Sequence, residues 1–242
     1  LVRVDATLPE GVTAKDIILA IIGVETRYGQ YMGSYRVVDA LATLGFDYPP
    51  RASFFRKQLK ALFELEQKAH IDANVITGSY AGAMGYGQFI PTSYQAYAVD
   101  FDNDGVTDLV NNPVDAIGSV ANYFHEHRWQ PDLPVAARAR VEGSGYQPLA
   151  KKGYKPSFTL DQARQAQVSP ISCEGGGVKS EYCFDLPGDT RVALLDLEGL
   201  QGTEFWLATD NFYVITRYNH SRLYAMAVLQ LSREIAAALE TH

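Results

Sequence analysis

Apolar residues recur at helical spacing in several separate stretches of this chain, and alternate with polar ones in others. In residues 17–29, IILAIIGVETRYG, an apolar run of helical length ends at Glu25. Such a run without proline reads as a buried helix, and it predicts a helix over 13–28 with Thr13 as N-cap. A second helix is predicted over 51–69, with Ser53 near its start and apolar residues at Phe54, Phe55, Leu59, Leu62, Phe63 and Leu65. Pro91 opens a third helix running to Ala98, and Pro113 a fourth running to His127, since proline suits the first helical position.

The pattern changes at Gln130-Pro-Asp-Leu-Pro134. Beyond it, alternation over 135–141 and 190–197 predicts strands, with a short helix over 161–167. Residues 205–216 read as extended chain or loop. A last helix is predicted over 221–239, with apolar residues at Leu223, Ala227, Val228, Leu231, Ile235 and Leu239. There is no internal repeat and no low-complexity tract. The sum is an α+β chain, mainly α.

Composition narrows the class. The chain has 242 residues and 47% hydrophobic content, enough for a large core in one or two domains and incompatible with disorder. The apolar run at 17–24 is too short to span a bilayer. Residues 1–10 have neither the basic start nor the apolar core of a signal peptide, as a mature secreted form would also lack them. Net charge is -7 with no basic run, which argues against nucleic acid as a partner. Long-range steering toward an anionic polymer is excluded too, so recognition falls to neutral polar and aromatic groups.

Three features carry candidate chemistry. Glutamate is seldom buried unless paired or working. At the end of an apolar helix, Glu25 would be partly desolvated, which raises a carboxyl's pKa and suits a general acid. The alternative places Glu25 on the solvent face, paired with Arg27. The second feature is the Gly-rich segment GSYAGAMGYGQFIP at 78–91. It lacks the Lys-Ser/Thr ending of a phosphate loop and does not match the dinucleotide fingerprint. Its glycines allow close backbone approach. Ser79, Tyr86 and Gln88 offer neutral hydrogen-bonding groups and Met84 a soft apolar surface, a combination suited to a sugar. A Gly-rich turn packed on a helix is the plainer alternative.

The third is the acidic run DFDNDGVTD at 100–108. Asp100, Asp102, Asp104 and Asp108, with the Val106 carbonyl, match ligand positions of an EF-hand calcium loop, although Asn111 replaces its closing glutamate. Carboxylates so closely spaced repel one another without a cation, and hard oxygen ligands select calcium over zinc. The expected role is structural; a solvated acidic turn is the alternative. Cys173 and Cys183 flank EGGGVKSEY. A loop-closing disulfide and a pair of free thiols both fit this spacing, while too few ligands lie nearby for zinc.

The blocks IIGVETRYGQYMG, DALATLGFDYP, GSYAGAMGYGQFIPTSY, NPVDAIGSVANYFHEHRW and NFYVITRYNHSRLYAMAV, taken together, resemble the MltB-type lytic transglycosylases of bacterial cell-wall metabolism. They fall in family order over 17–129 and 205–231. The resemblance implies a lysozyme-like helical catalytic core over 1–130, with an EF-hand-like loop at 100–115. It also implies a smaller β-containing subdomain over 131–202, and a segment at 203–242 that returns to the core and completes the groove.

For chemistry, the resemblance implies cleavage of the β-1,4 bond between N-acetylmuramic acid and N-acetylglucosamine in peptidoglycan. Glu25 acts as sole catalytic carboxylate, without a catalytic cofactor. Ser79 and Gln88 are then hydrogen-bonding groups around the acid, and Met84 and Tyr86 shape the same wall. Tyr123, Tyr218, Asn219 and Tyr224 line sugar subsites, and Arg51 contacts the peptide stem. A longer form of the acidic loop would use Asp115 as a further calcium ligand. The resemblance implies a periplasmic setting, soluble or lipid-anchored, and so favours the Cys173–Cys183 disulfide. Glycan strands are the implied partner, with other cell-wall enzymes as possible companions. A hydrolytic muramidase and a non-catalytic wall-binding module are the competing readings.

Overall fold

The computed structural model describes residues 14–68, 71–171, 173 and 182–240. The expected N-cap, Thr13, lies outside them. By their contacts the residues group into two units, Ala14–Glu126 and His127–His242.

The first unit is helical. It comprises α1 (Ala14–Thr26), β1 (Tyr35–Arg36), α2 (Val37–Phe46), a 3₁₀ turn at Pro49–Arg51, α3 (Ala52–Lys68), β2 (Thr77–Gly78), α4 (Pro91–Tyr97) and α5 (Pro113–Glu126). Ile17, Ile21 and Ile22 of α1 are buried, and α1 packs on α5. Each fully buried isoleucine contributes about 1.5–3 kcal/mol. The helix stops two residues earlier than its apolar pattern suggested, because Arg27, Tyr28 and Gly29 all take positive φ. Helix α3 starts after Pro49–Pro50, and Pro91 and Pro113 occupy the first positions of α4 and α5.

The second unit is built on one antiparallel sheet. Its elements are β3 (Ala136–Val141), α6 (Gln147–Ala150), β4 (Phe158–Thr159), α7 (Leu160–Gln165), β5 (Val168–Pro170), β6 (Arg191–Gly199), β7 (Gly202–Ala208), α8 (Asp210–Tyr218) and α9 (Arg222–Glu240). Strand order is β4-β6-β7-β3-β5. The register sets Leu194 beside Leu207 and Leu207 beside Ala137. That row forms one face of a core completed by Phe158, Leu160, Ala163, Val168 and Phe184. Thr159 and Gln162 form a capping box that starts α7, and cross-capping satisfies two backbone donors.

Two expectations need correcting here. Residues 205–216 are not uniformly extended: β7 gives way to α8, because the Thr209 side chain accepts from the Asn211 amide and caps a helix. Helix α9 buries Ala225, Met226, Val228, Leu229 and Ser232, while Leu223 and Leu239 are exposed. Residues 203–240 contribute β7 to the middle of this sheet and group by their contacts with the second unit.

Candidate active site

Glu25 sits in the last turn of α1 and is half-buried. The chain just beyond it is fastened to the Gly-rich segment at several points. Thr26 Oγ1 lies 3.0 Å from the Tyr86 carbonyl oxygen, to which it donates. Gly29, at φ +87°, lies against the Tyr86 ring so closely that a Cβ would collide with it. Gln88 Nε2 donates to the Met32 carbonyl at 3.2 Å and to the Gly85 carbonyl at 2.9 Å. Gly33, at φ +94°, presses on the Gly78–Ser79 peptide with no room for a side chain. Then β1 and β2 pair, Tyr35 with Gly78 and Arg36 with Thr77. Glycine is required at 29 and 33 for both conformation and space.

The structure therefore brings the end of α1, Ser79, Tyr86 and Gln88 onto one framework. Ser79 Oγ accepts from the amides of Ala83 at 3.0 Å and Ala81 at 3.3 Å. Both bonds use its lone pairs, which leaves the hydroxyl hydrogen for another acceptor. Gln88 is held by its amide nitrogen, at the unusual φ of 51°. Met84 is fully buried and bridges Phe89 by main-chain bonds, so it acts on this wall by packing. Tyr86 is half-buried. The Arg27 guanidinium lies over the Tyr31 ring, 5.2 Å from its centroid.

Other expected site residues are placed differently. Tyr123 is a core ring, 6% exposed, with Tyr97 at 4.8 Å, Phe124 at 6.1 Å and Phe89 at 6.3 Å. Arg51 is exposed and stacks over Phe54 at 4.4 Å. Tyr218 ends α8, Asn219 caps it, and Tyr224 lies in the first turn of α9 beside Ser221, whose Oγ accepts from the Tyr224 amide. These three belong to the second unit.

The acidic loop joins α4 to α5. Carboxylate oxygens of Asp100, Asp102 and Asp115 lie within 4.8 Å of one another. Asp115 is fully buried, and its two oxygens accept from the amides of Phe101 and Asp108, each at 2.8 Å. Asp104 and Asp108 are outside this cluster among the described residues. Asp104 Oδ1 takes the Val106 amide, and Asp108 Oδ1 caps the amides of Val110 and Asn111. The three clustered carboxylates supply hard oxygen donors of the kind calcium prefers, and so fit such a cation. Cys173 and Cys183 are joined by a disulfide.

Sequence reasoning passed over two residues that organise this region. Thr26 ties the helix end to the Gly-rich segment; the cue was a threonine directly after the candidate acid and three before a glycine, a helix-termination pattern. Tyr94 lies within the helix predicted from Pro91 and carries no separate signal in the sequence, yet its hydroxyl bridges the Thr107 carbonyl and the Leu109 amide.

Known proteins share this fold. Residues 10–233 match the transglycosylase SLT domain, and the chain belongs to that family. It is 44% identical over 223 residues to membrane-bound lytic murein transglycosylase B of Escherichia coli, covering 92% of this chain and 57% of that protein. The chain thus spans little more than half of that relative. The crystal structure of soluble lytic transglycosylase SltB1 from Pseudomonas aeruginosa superimposes with a TM-score of 0.84 at 46% identity, covering 93% of this chain and 71% of the other. The Escherichia coli lytic transglycosylase Slt35 in complex with calcium gives 0.77 at 42% identity, with coverages of 92% and 66%. The fold is thereby the lysozyme-like one of lytic transglycosylases, mainly α with a small antiparallel sheet.

Proposed function

We propose that this chain carries the catalytic activity of a lytic transglycosylase acting on peptidoglycan. The observation that carries this reading is Glu25, a half-buried carboxyl at the end of an apolar helix. The turn after it is fastened to neutral hydrogen-bonding groups in a protein of the transglycosylase family. Most glycosidases need two carboxylates, and the site offers no second acid as prominent. In the proposed cycle Glu25 protonates the glycosidic oxygen between N-acetylmuramic acid and N-acetylglucosamine. The 2-acetamido oxygen stabilises the positive charge growing at C1. The Glu25 carboxylate then takes the proton of the muramoyl C6 hydroxyl as that oxygen bonds to C1. Glu25 ends protonated as it began, the product end is a 1,6-anhydromuramoyl ring, and no water is consumed.

Ser79 keeps a free donor for the acid or the substrate. Gln88 keeps its carbonyl oxygen, since its nitrogen is spent on Met32 and Gly85. Tyr218, Asn219 and Tyr224 are assigned to sugar subsites, and Arg51 to the peptide stem. For Tyr123 the buried ring favours a supporting role behind Phe89 and Tyr97. A calcium ion is assigned to Asp100, Asp102 and Asp115 of an EF-hand-like loop, where it would offset carboxylate repulsion. The disulfide suits an oxidising compartment, and with the peptidoglycan substrate it supports a periplasmic location, where other cell-wall enzymes could act beside it. Among the described residues no helix is long and apolar enough to cross a membrane.

The test is Glu25→Gln, which keeps size and shape. The variant should melt like the wild type and lose nearly all turnover of purified peptidoglycan. Turnover near the wild-type rate would overturn the reading.

A further inference from the structure

Thr26 follows the proposed acid directly, is 1% exposed, and its hydroxyl lies within reach of three backbone groups, with one hydrogen shared between two carbonyls. Its Oγ1 lies 3.1 Å from the Ile22 carbonyl, 3.0 Å from the Tyr86 carbonyl and 3.0 Å from the Gly29 amide. The contact with Ile22, one turn back, is the ordinary local bond of a helical threonine. The other two are not explained by helix geometry. Tyr86 lies sixty residues further along the chain. Tyr86 is held at its other backbone group as well, since its amide donates to the Leu109 carbonyl at 3.0 Å. Thr26 is thus tied to a residue that is bonded at both its carbonyl and its amide.

The Gly29 bond matters for a second reason. Arg27 and Tyr28 have φ of 48° and 58°, a left-handed conformation that costs a non-glycine residue roughly 1–2 kcal/mol. Two such residues in succession persist only where the surroundings enforce them. Backbone bonds from the Arg27, Tyr28 and Tyr31 amides to the Gly23, Ile22 and Thr26 carbonyls close this turn, and the Thr26 hydroxyl under the Gly29 amide and the Tyr86 ring against Gly29 are the side-chain contacts added to them. If the hydroxyl is lost, the reversal at 27–29 loses its brace and the last turn of α1 can unwind or rotate. Glu25 sits in that turn.

We propose that Thr26 is a positioning residue for the reaction: its hydroxyl clamps the end of α1 to the Tyr86 peptide and so fixes where the Glu25 carboxyl points. This rests on the reading of Glu25 as the acid. A proton donor must lie within hydrogen-bond reach of the atom it serves, and a displacement of 1 Å can cost about a hundredfold in rate. Substrate binding, spread over many groups, depends far less on that one angle.

The test compares Thr26→Val, Thr26→Ala and Thr26→Ser on soluble oligomers of alternating N-acetylglucosamine and N-acetylmuramic acid, with Glu25→Gln alongside. Valine keeps the shape and deletes the hydroxyl. Its kcat should fall by about 10–100-fold with KM within about 3-fold of wild type. Serine restores the hydroxyl without the methyl and should recover kcat to within about 3-fold. The Ala and Ser variants, assayed below their melting temperatures, isolate the same hydroxyl even where valine does not fold. A folded Thr26→Val with wild-type kcat, or Ser no better than Ala, overturns the clamp. Loss of activity in Glu25→Gln with an unaffected Thr26→Val sinks this inference alone. An active Glu25→Gln sinks the acid assignment beneath it.

Discussion

The Tyr94 hydroxyl donates to the Thr107 carbonyl at 2.8 Å and accepts from the Leu109 amide at 3.2 Å. One side chain of α4 thereby closes the exit of the acidic loop. The Leu109 carbonyl in turn accepts from the Tyr86 amide, so the loop's exit and the Gly-rich segment meet at one residue. Burial, followed by the charges of Asp108 and Asp115, pushes the Tyr94 pKa up from 10.0 to about 12, against a lowering by the Leu109 amide bond.

Removing this hydroxyl takes a partner from the buried Leu109 amide and from the half-buried Thr107 carbonyl. Tyr94→Phe should lower stability by about 1–3 kcal/mol at neutral pH, read as a shift in denaturant midpoint at unchanged slope. The pH dependence has a definite sign. The unfolded tyrosine releases its proton near pH 10 and the folded one near 12, so the folded state binds more protons between them and stability falls as pH rises. The stabilisation is complete below pH 10 and lost through pH 12. Tyr94→Phe should flatten that alkaline slope, and an unchanged slope would count against the assignment.

Two aspartates of the acidic cluster should behave differently. Asp115 serves two backbone amides with its two oxygens, and asparagine offers one oxygen and a repelling amino group. Asp115→Asn should therefore cost about 1–3 kcal/mol even in chelator. Asp102 is exposed and accepts from the Asp104 amide and Asn112 Nδ2. Asp102→Asn should leave the melting temperature in chelator nearly unchanged and weaken the rise on adding calcium. That rise follows from binding the folded state alone. A wild-type melting temperature indifferent to calcium would remove the cation from the account.

Much of this was legible in the sequence because local rules were obeyed. Pro91 and Pro113 start α4 and α5 where proline is favoured, and the apolar spacing of 52–68 gives α3. The errors fall where local preference yields to long-range contact. Residues 210–216 carry aromatic and β-branched side chains that read as extended chain or loop, yet the Thr209 cap and the Asn211 bonds to the Gln130 and Leu133 carbonyls settle a helix. The end of α1 was misread for the same reason. Nothing within 17–29 reveals that Tyr86 will supply a carbonyl and a ring. The site is split likewise. Glu25, Ser79 and Gln88 stood out by chemistry, while the residues that set their geometry, Thr26 and Gly29, stood out only by partners distant in sequence. Asp104 and Asp108 fitted a ligand spacing, and their carboxylates accept amides of their own loop, as those of Asp100, Asp102 and Asp115 also do.

The disulfide offers a separate stability test. Cys173 and Cys183 are separated by ten positions, and closing so short a loop is worth about 2–3 kcal/mol on the chain-entropy model. The double variant Cys173→Ser, Cys183→Ser should lose stability of that order, and Glu25-dependent turnover measured well below the melting temperature should be unaffected. Thiol labelling of the unreduced, denatured wild type should find no free cysteine; two labelled thiols would refute the bond.

The product decides between cyclisation and hydrolysis. Both routes begin with Glu25 protonating the glycosidic oxygen, and both would be abolished by Glu25→Gln, so mutagenesis at the acid cannot separate them. They part at the second step. Hydrolysis needs a carboxylate to activate water; Asp39 is exposed and holds Arg36 at 2.7 Å, and Asp47 is exposed at the end of α2. An internal nucleophile needs no second base, because the Glu25 carboxylate left by the first step lies beside the sugar it has just served. Each cut should therefore yield a cyclic muramoyl end one water lighter than the hydrolytic product and inert to borohydride. Digestion of purified peptidoglycan in heavy-oxygen water, followed by mass analysis, should show no solvent oxygen in the new ends. Reducible muramic ends carrying heavy oxygen would make the protein a muramidase, with the same acid and a water where the C6 hydroxyl is now assigned.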